Sequence, residues 1–266
     1  MKFMHRKRFY YLINLQYLGF RYSGWQNQPG QKTLESMLVK TLKFVLPDQK
    51  FKILGAGRTD AKVSALEMNF ELFLEDRALN DNDSFLKLLN FNLPPDIKAI
   101  GIKEVDNSFN VIKDAKLKEY IYLFSFGEKN HPFCAPFLAN IIEPLDVELM
   151  IKAARYFEGI HDFSSYTARL REGTNTIRTV LSCELKENDL LTANFFPDKS
   201  YALYIKASGF MRYQVRMIMG ALIQVGKGEL ALSEIKKSLE NRTEIKLTYV
   251  APASGLLLNK IDFQKS

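Results

Sequence analysis

One short stretch concentrates the groups that could do chemistry: Gly55-Ala56-Gly57-Arg58-Thr59-Asp60-Ala61, directly after the apolar run Phe51 to Ala56. Two glycines after a strand suggest a nucleotide turn, but the letters refuse it. Asp60 stands where the third glycine of a dinucleotide fingerprint belongs, and no Gly-Lys-Ser/Thr phosphate loop is present. A carboxylate there would also repel a pyrophosphate. What remains is a tight turn presenting Arg58 and Asp60 two residues apart. Side chains so spaced in a turn need not share a face, so the arginine can serve a phosphate while the aspartate serves chemistry. The plainer alternative is an aspartate that caps its own turn through backbone amides.

Other reactive side chains are scattered. Cys134 and Cys183 are too few for a disulfide framework or a four-cysteine zinc site, and a reduced, cytoplasmic protein is expected. Of the three histidines, His161 lies in Gly159-Ile160-His161-Asp162-Phe163, where a structural or RNA-contacting role suits it better than general base. His5 and His131 have no evident partner in the sequence. No nucleophile-elbow motif supports a Ser-His-Asp set. Arg216 stands inside an apolar helical pattern, where it is costly unless paired; an exposed arginine or a phosphate contact is the alternative. Tyr120 and Tyr122 share one face of a strand, so at least one is expected in the core.

Charge points toward a polyanion. Lysine and arginine total 37 against 30 acids, a net charge of +7. The excess is clustered: Met1 to Leu34 holds six basic residues (Lys2, Arg6, Lys7, Arg8, Arg21, Lys32) and no acid, and Lys199 to Gly228 holds five (Lys199, Lys206, Arg212, Arg216, Lys227) and no acid. Tyr10, Tyr17, Tyr22, Trp25, Tyr204, Phe210 and Tyr213 are interleaved with them. Cations for phosphates beside flat rings for unstacked bases suit an RNA surface, although a basic enzyme for small anions has the same composition. No apolar run approaches the length of a membrane span, and the run Phe9 to Ile13 after the basic N-terminus is too short for a signal-peptide core.

The elements that must position these groups read as mixed α+β. Strands are expected at Phe9–Tyr17, Phe51–Ala56, Met68–Leu72 (half exposed, alternating with Asn69 and Glu71), Ile97–Val105, Leu117–Phe126, Leu181–Lys186, Tyr201–Ala207 and Leu256–Ile261. Helices are expected after Thr33, over Ser84–Phe91, from Asp146 to Gly159, over Phe210–Val225 and over Ser233–Leu239. The rhythm falls into two similar halves meeting near residues 107–116, taken as 1–110 with the Asp60 loop and 111–266 with the Tyr120 strand and the Arg216 helix.

Taken together, the segments resemble the TruA-type tRNA pseudouridine synthases. Gly55 to Ala65 (GAGRTDAKVSA) is similar to that family's G-R-T-D-A-G-V-H/S-A signature. In the same order, Tyr17-Leu18-Gly19 with Tyr22-Ser23-Gly24-Trp25-Gln26 and Gln28 resembles Y-D-G…Y-x-G-W-Q-x-Q. Asn92 to Ile97 resembles N-L-P-x-D-I, Phe109-Asn110 resembles F-N/H-A-R, and Tyr120 and Tyr122 fall on Y-x-Y. Gly159 to Ser165 resembles G-x-H-D-F-x-S/A, Phe210 to Gly220 resembles F-L-x-H-M-V-R-x-I-x-G, and Pro252 to Leu256 resembles P-x-x-G-L. The resemblance runs from residue 9 to residue 258.

The resemblance implies a pseudouridine-synthase fold: two ferredoxin-like α+β halves sharing a mainly antiparallel sheet, with flanking helices, around a basic cleft. It implies an isomerase that converts uridine to pseudouridine in the anticodon arm of tRNA, at positions 38–40, acting as a homodimer without metal or cofactor. It carries Asp60 over as the catalytic residue, Arg216 as its partner, Tyr120 as the ring against the target base, Arg58 as a contact to the flipped-out backbone and Leu256 as a pocket wall. Arg21, Lys62 and Arg212 are further RNA-contacting candidates. Four departures from the family pattern bear on substrate range and RNA affinity: Leu18 for Asp, Lys62 for Gly, Ile112 for Arg, and Tyr213-Gln214 for His-Met. If that Gly serves a positive φ, Lys62 is strained. The competing reading is a tRNA-binding protein that has lost turnover.

Overall fold

A computed structural model describes residues 7–263 apart from 169, 171–172, 241–242 and 244, so His5, Lys2 and Arg6 lie outside the described residues. The chain forms two compact units, one of Met1–Lys116 with Leu258–Ser266, the other of Leu117–Leu257.

In the first unit, β1 (Arg8–Tyr17) is followed by α1 (Leu34–Val45), β2 (Phe51–Gly55), β3 (Ser64–Glu75), α2 (Asn82–Asn92) and β4 (Ile97–Val105). β3 pairs antiparallel with β2 and β1, and β1 with β4. Aromatic and branched residues make these strands, and buried Leu34, Leu38 and Leu42 seat α1. Thr33 starts that helix with a capping box, its Oγ1 accepting from the Ser36 amide while Ser36 Oγ accepts from the Thr33 amide. Asp81 caps α2 through the Ser84 amide.

β3 differs from its expected half-exposed character. Asn69 and Glu71 are buried. The alternating face meets protein: Asn69 donates to Asn14 Oδ1 at 2.9 Å, and Glu71 Oε2 accepts the Val111 N–H at 3.2 Å. Two segments distant in sequence, β1 and the 109–114 turn, thus cover what an isolated strand would leave wet.

In the second unit, β5 (Ala115–Phe126) leads to β6 (Ala139–Ile141), α3 (Val147–Ala154), β7 (Gly159–Asp162), β8 (Ile177–Glu187), β9 (Tyr201–Ala207), α4 (Gln214–Gly226) and α5 (Leu232–Ser238). β5 pairs antiparallel with β9, β9 with β8 and β8 with β7; short β6 lies parallel to β5. α3 packs on α4 and on β8. The last strand, β10 (Leu256–Phe263), returns the chain to the first unit. Mixed α+β architecture with mainly antiparallel strands and flanking helices therefore holds for this chain.

Two helices are shorter than their patterns suggest. α3 stops at Ala154, and a single 3₁₀ turn, Arg155–Phe157, buries Phe157 before Gly159, whose φ is +106°. α4 begins at Gln214, because Tyr213 adopts the left-handed conformation with φ +64° and cannot extend a right-handed helix backward. The buried Gln214 amide oxygen instead accepts the Met211 N–H at 2.8 Å. Among the described residues no helix is long and apolar enough to cross a membrane.

Candidate active site

The Asp60 loop joins β2 to β3 and is fastened at both ends. Gly55 leaves room for the Trp25 indole: a Cβ there would lie 2.6 Å from the ring. The first glycine of the pair thus serves as packing space for the indole. Thr59 is buried, its carbonyl accepting the Trp25 N–H at 3.1 Å. Gly24, with φ +92°, permits that approach, since a Cβ would come within 2.8 Å of the Thr59 carbonyl oxygen. Trp25 and Gly24 are themselves held by the start of α1, whose Glu35 and Leu34 amides donate to their carbonyls at 3.0 and 3.1 Å.

Asp60 is half-buried, and its carbonyl accepts the Val63 N–H at 3.2 Å. With Lys62 at φ +68°, residues 60–63 make a type II turn, which requires a positive φ at its third residue. That is the physical reason a glycine suits position 62. Lys62 accepts the strain: its N–H donates to the Tyr22 carbonyl at 3.0 Å and its ammonium lies 5.7 Å from the Phe20 ring centre. Arg58 is exposed.

A second brace lies behind the first. Asp96 receives two hydrogen bonds from the Arg21 guanidinium and one from the Tyr22 hydroxyl at 2.7 Å. Burial pushes the Asp96 carboxyl up, but the hydrogen bonds from Arg21 and Tyr22 outweigh it and hold the group below its ordinary value. Hydrogen bonds to Asp96 and Tyr22 raise Arg21, while burial and then the hydrogen bond to Asp96 push Tyr22 up to about 12. Arg21, a candidate RNA contact, is therefore committed to Asp96, although half its side chain stays exposed. Tyr22, like Tyr17 and Trp25, is buried, so these three rings brace the loop and do not face unstacked bases as their interleaving with cations suggests; Asp96 is marked in the sequence only by its place in a family-like segment.

The second unit carries the other candidates. Tyr120 on β5 lies opposite Ile205 of β9, half-buried, its ring edge-on to Phe210 at 5.3 Å. Tyr122 is the core member of the pair: fully buried, donating its hydroxyl to the Pro252 carbonyl at 2.7 Å, its phenol pushed well up by burial. Lys118, on the same strand face, is lowered by burial alone. Arg216 occupies the first turn of α4, its Nε–H donating to the Ala251 carbonyl at 2.8 Å. Its guanidinium and that of exposed Arg212 each lie 5.0 Å from the Tyr213 ring centre. Leu256 is buried at the start of β10 after the turn Ala253–Gly255. Gly255 is needed there, because a Cβ would fall 2.5 Å from the Leu123 carbonyl oxygen.

The two described histidines, His131 and His161, hold backbone groups. His161 Nε2 bonds the Glu158 carbonyl at 2.7 Å, a structural link. His131, without an evident partner in sequence, caps a 3₁₀ turn: its Nδ1 accepts the Phe133 N–H at 3.2 Å.

The arrangement offers an aspartate on a rigidly held turn in one unit. In the other it offers a half-buried tyrosine ring, a buried leucine and an arginine fixed by a backbone carbonyl. Comparison with known proteins gives these groups a context. Residues 153–264 match the family described as tRNA pseudouridine synthase. The "tRNA pseudouridine synthase A" of Dictyoglomus thermophilum is 34% identical over 251 residues, 94% of this chain and 98% of that one. The protein of the same name from Thermodesulfovibrio yellowstonii is 34% identical over 254 residues, 94% and 97% of the two chains. "tRNA pseudouridine synthase A 2" of Bacillus thuringiensis is 31% identical over 255 residues, 95% and 99%.

Proposed function

The chain belongs to the tRNA pseudouridine synthase family, and on that premise we propose that it isomerises uridine to pseudouridine in the anticodon arm of tRNA, at positions 38 to 40, with Asp60 as the catalytic residue. The observation that carries this reading is the Asp60 turn itself. It sits between β2 and β3, braced by residues of the Tyr17–Trp25 segment, within a chain aligned to synthases over nearly its whole length.

The chemistry asks for little beyond such a residue. The C1′–N1 bond breaks, the uracil turns over, C5 joins C1′, the C5 proton leaves to a base and then to solvent, and N1 ends protonated, so the product is an isomer of the substrate. Nothing is oxidised and no phosphoryl group moves. A glycosidase needs two carboxylates and a water between them; here the same base returns, so one carboxylate serves and water is kept out. Asp60 acts in its ionised form, as nucleophile or as a charge stabilising the sugar. By the family resemblance, Arg216 is the positive charge that favours that form.

A uridine in a stem must leave the stack first, at a cost of a few kcal/mol. In this reading the Tyr120 ring receives the flipped base, Leu256 walls the pocket, and Arg58 meets the displaced backbone. Arg21, Lys62 and Arg212 add phosphate contacts. The enzyme is taken to be a cytoplasmic homodimer.

The test is release of the C5 hydrogen from unmodified tRNA labelled at C5 of uridine, measured with the wild type and with Asp60→Ala. Release by the wild type alone, with tRNA affinity within a few-fold for both, is the expected result. Equal release by both proteins removes Asp60 as the catalyst. Tight binding without release by either leaves a tRNA-binding protein.

A further inference from the structure

We infer that Tyr17 is a positioning residue for Asp60, acting through a buried hydrogen bond to the hydroxyl of Thr59; the inference rests on the reading of Asp60 given above. The Tyr17 hydroxyl and Thr59 Oγ1 are 2.9 Å apart, and both residues are buried.

The fold goes out of its way to make this contact. Along β1 and β3, Leu15 pairs with Met68 but Tyr17 pairs with Ala65, so β3 carries one extra residue at the end of the ladder. A bulge of this kind re-aims the neighbouring side chains. The pairing of β1 with β4 shifts too, between Asn14 and Leu15. Two irregularities thus flank the last turn of β1, on either side of the strand that delivers the Tyr17 ring. The ring is then fixed by packing, tilted against Trp25 with centroids 6.5 Å apart.

Thr59 is the residue through which this reaches the carboxylate. Its carbonyl is taken by the Trp25 N–H and its hydroxyl by Tyr17, so backbone and side chain are both tied one residue before Asp60. On the far side, the turn is closed by the Asp60 carbonyl to Val63 N–H bond and by Lys62 N–H to Tyr22. Asp60 therefore sits between two anchored residues. Without the Tyr17 hydroxyl, the Thr59 side chain is free to change rotamer inside a buried site, and the carboxylate is displaced. Displacements of about 1 Å can cost 10²-fold in rate while leaving substrate binding intact.

The test uses single-turnover rates at saturating enzyme, together with tRNA affinity and melting temperature. Tyr17→Phe and Thr59→Val each remove one end of the bond, and Thr59→Ser keeps the hydroxyl. The expected result is a fall of about ten-fold or more in the rate for Tyr17→Phe and Thr59→Val, with tRNA affinity within two-fold. The Tyr17→Phe/Thr59→Val double variant should be no slower than the worse single variant, because both removals break one bond. Thr59→Ser should recover most of the rate. Rates unchanged in Tyr17→Phe, multiplicative losses in the double variant, or Thr59→Ser as slow as Thr59→Val would each overturn the inference. If Tyr17→Phe does not fold, the Thr59→Val and Thr59→Ser pair decides alone. Asp60→Asn, run alongside, separates the two failures: activity in that variant overturns the reading of Asp60, whereas a dead Asp60→Asn beside a full-rate Tyr17→Phe overturns only the role of Tyr17.

Discussion

Arg216 and Ala251 hold each other by reciprocal hydrogen bonds: the Arg216 Nε–H donates to the Ala251 carbonyl at 2.8 Å, and the Ala251 N–H donates to the Arg216 carbonyl at 3.1 Å. The first turn of α4 is thereby tied to the segment that becomes β10. A guanidinium can give its Nε–H to that carbonyl while lying against the Tyr213 ring 5.0 Å away. A lysine keeps the charge and loses this geometry. Arg216→Lys is expected to cost about 1 kcal/mol of stability, and to slow single-turnover pseudouridine formation by more than ten-fold. Denaturant melts and single-turnover rates measure the two effects separately. A full-speed Arg216→Lys would mean that the orientation of the guanidinium does not matter to the reaction.

Lys62 offers a test in which stability and RNA binding move apart. Its φ of +68° is a position that suits glycine, and its ammonium lies 5.7 Å from the Phe20 ring centre. Lys62→Gly relieves the left-handed backbone and is expected to stabilise the protein by about 0.5–1 kcal/mol. Lys62→Ala keeps the strain and should not. If the ammonium meets a phosphate, both variants should lower by about one the slope of log affinity for tRNA against log salt. Melting curves and salt titrations of both variants check this; an unchanged slope removes Lys62 from the RNA contacts.

How far the site was legible in the sequence differs by residue. The turn holding Asp60, the strands beside it and the cap at Thr33 follow from local pattern, because glycines, a capping threonine and alternating apolar residues act over a few positions. The choice between Tyr120 and Tyr122 does not: both share a face of β5, and the distant Pro252–Gly255 segment is what meets Tyr122. Asn69 and Glu71 looked solvent-facing for the same reason, since Asn14 and Val111 lie far away in sequence. The family-like segments were legible as letters long before their work was. Tyr17, Gly24, Trp25 and Asp96 are buttresses of one loop, a relation that needs the fold to bring residues 17 to 96 together.

Glu71 carries a pH dependence of unusual sign. It is fully buried, burial pushes its carboxyl up, and among the described residues neither its Oε1 nor Asn69 Oδ1, two residues away, has a hydrogen-bond partner. A raised carboxyl favours the protonated folded state, so the stability it allows is present at acid pH and declines as pH rises through its folded value. Glu71→Gln supplies an amide donor at every pH where two acceptors lack one. It is expected to raise the melting temperature at neutral pH, with the gap to wild type narrowing as the pH falls toward the raised value. Melting curves across that range provide the check; a gap independent of pH would show that Glu71 does not titrate with folding.

Asp96 should behave in the opposite sense. Its carboxyl is held below its ordinary value because the Arg21 and Tyr22 hydrogen bonds outweigh burial. The stability it confers is therefore present above the unfolded carboxyl value and lost as pH falls through the folded one. Asp96→Asn keeps the shape and removes the charge, weakening the grip on Arg21 and on the Tyr22 hydroxyl. A melting temperature lower by a few degrees at neutral pH is expected, with the difference closing in acid as the wild-type carboxyl protonates. Activity should fall as well, because the Tyr22 carbonyl is what receives the strained Lys62 amide beside Asp60. A variant that melts lower yet turns over at the wild-type rate below its transition would show that this second brace supports the fold without supporting the catalytic turn.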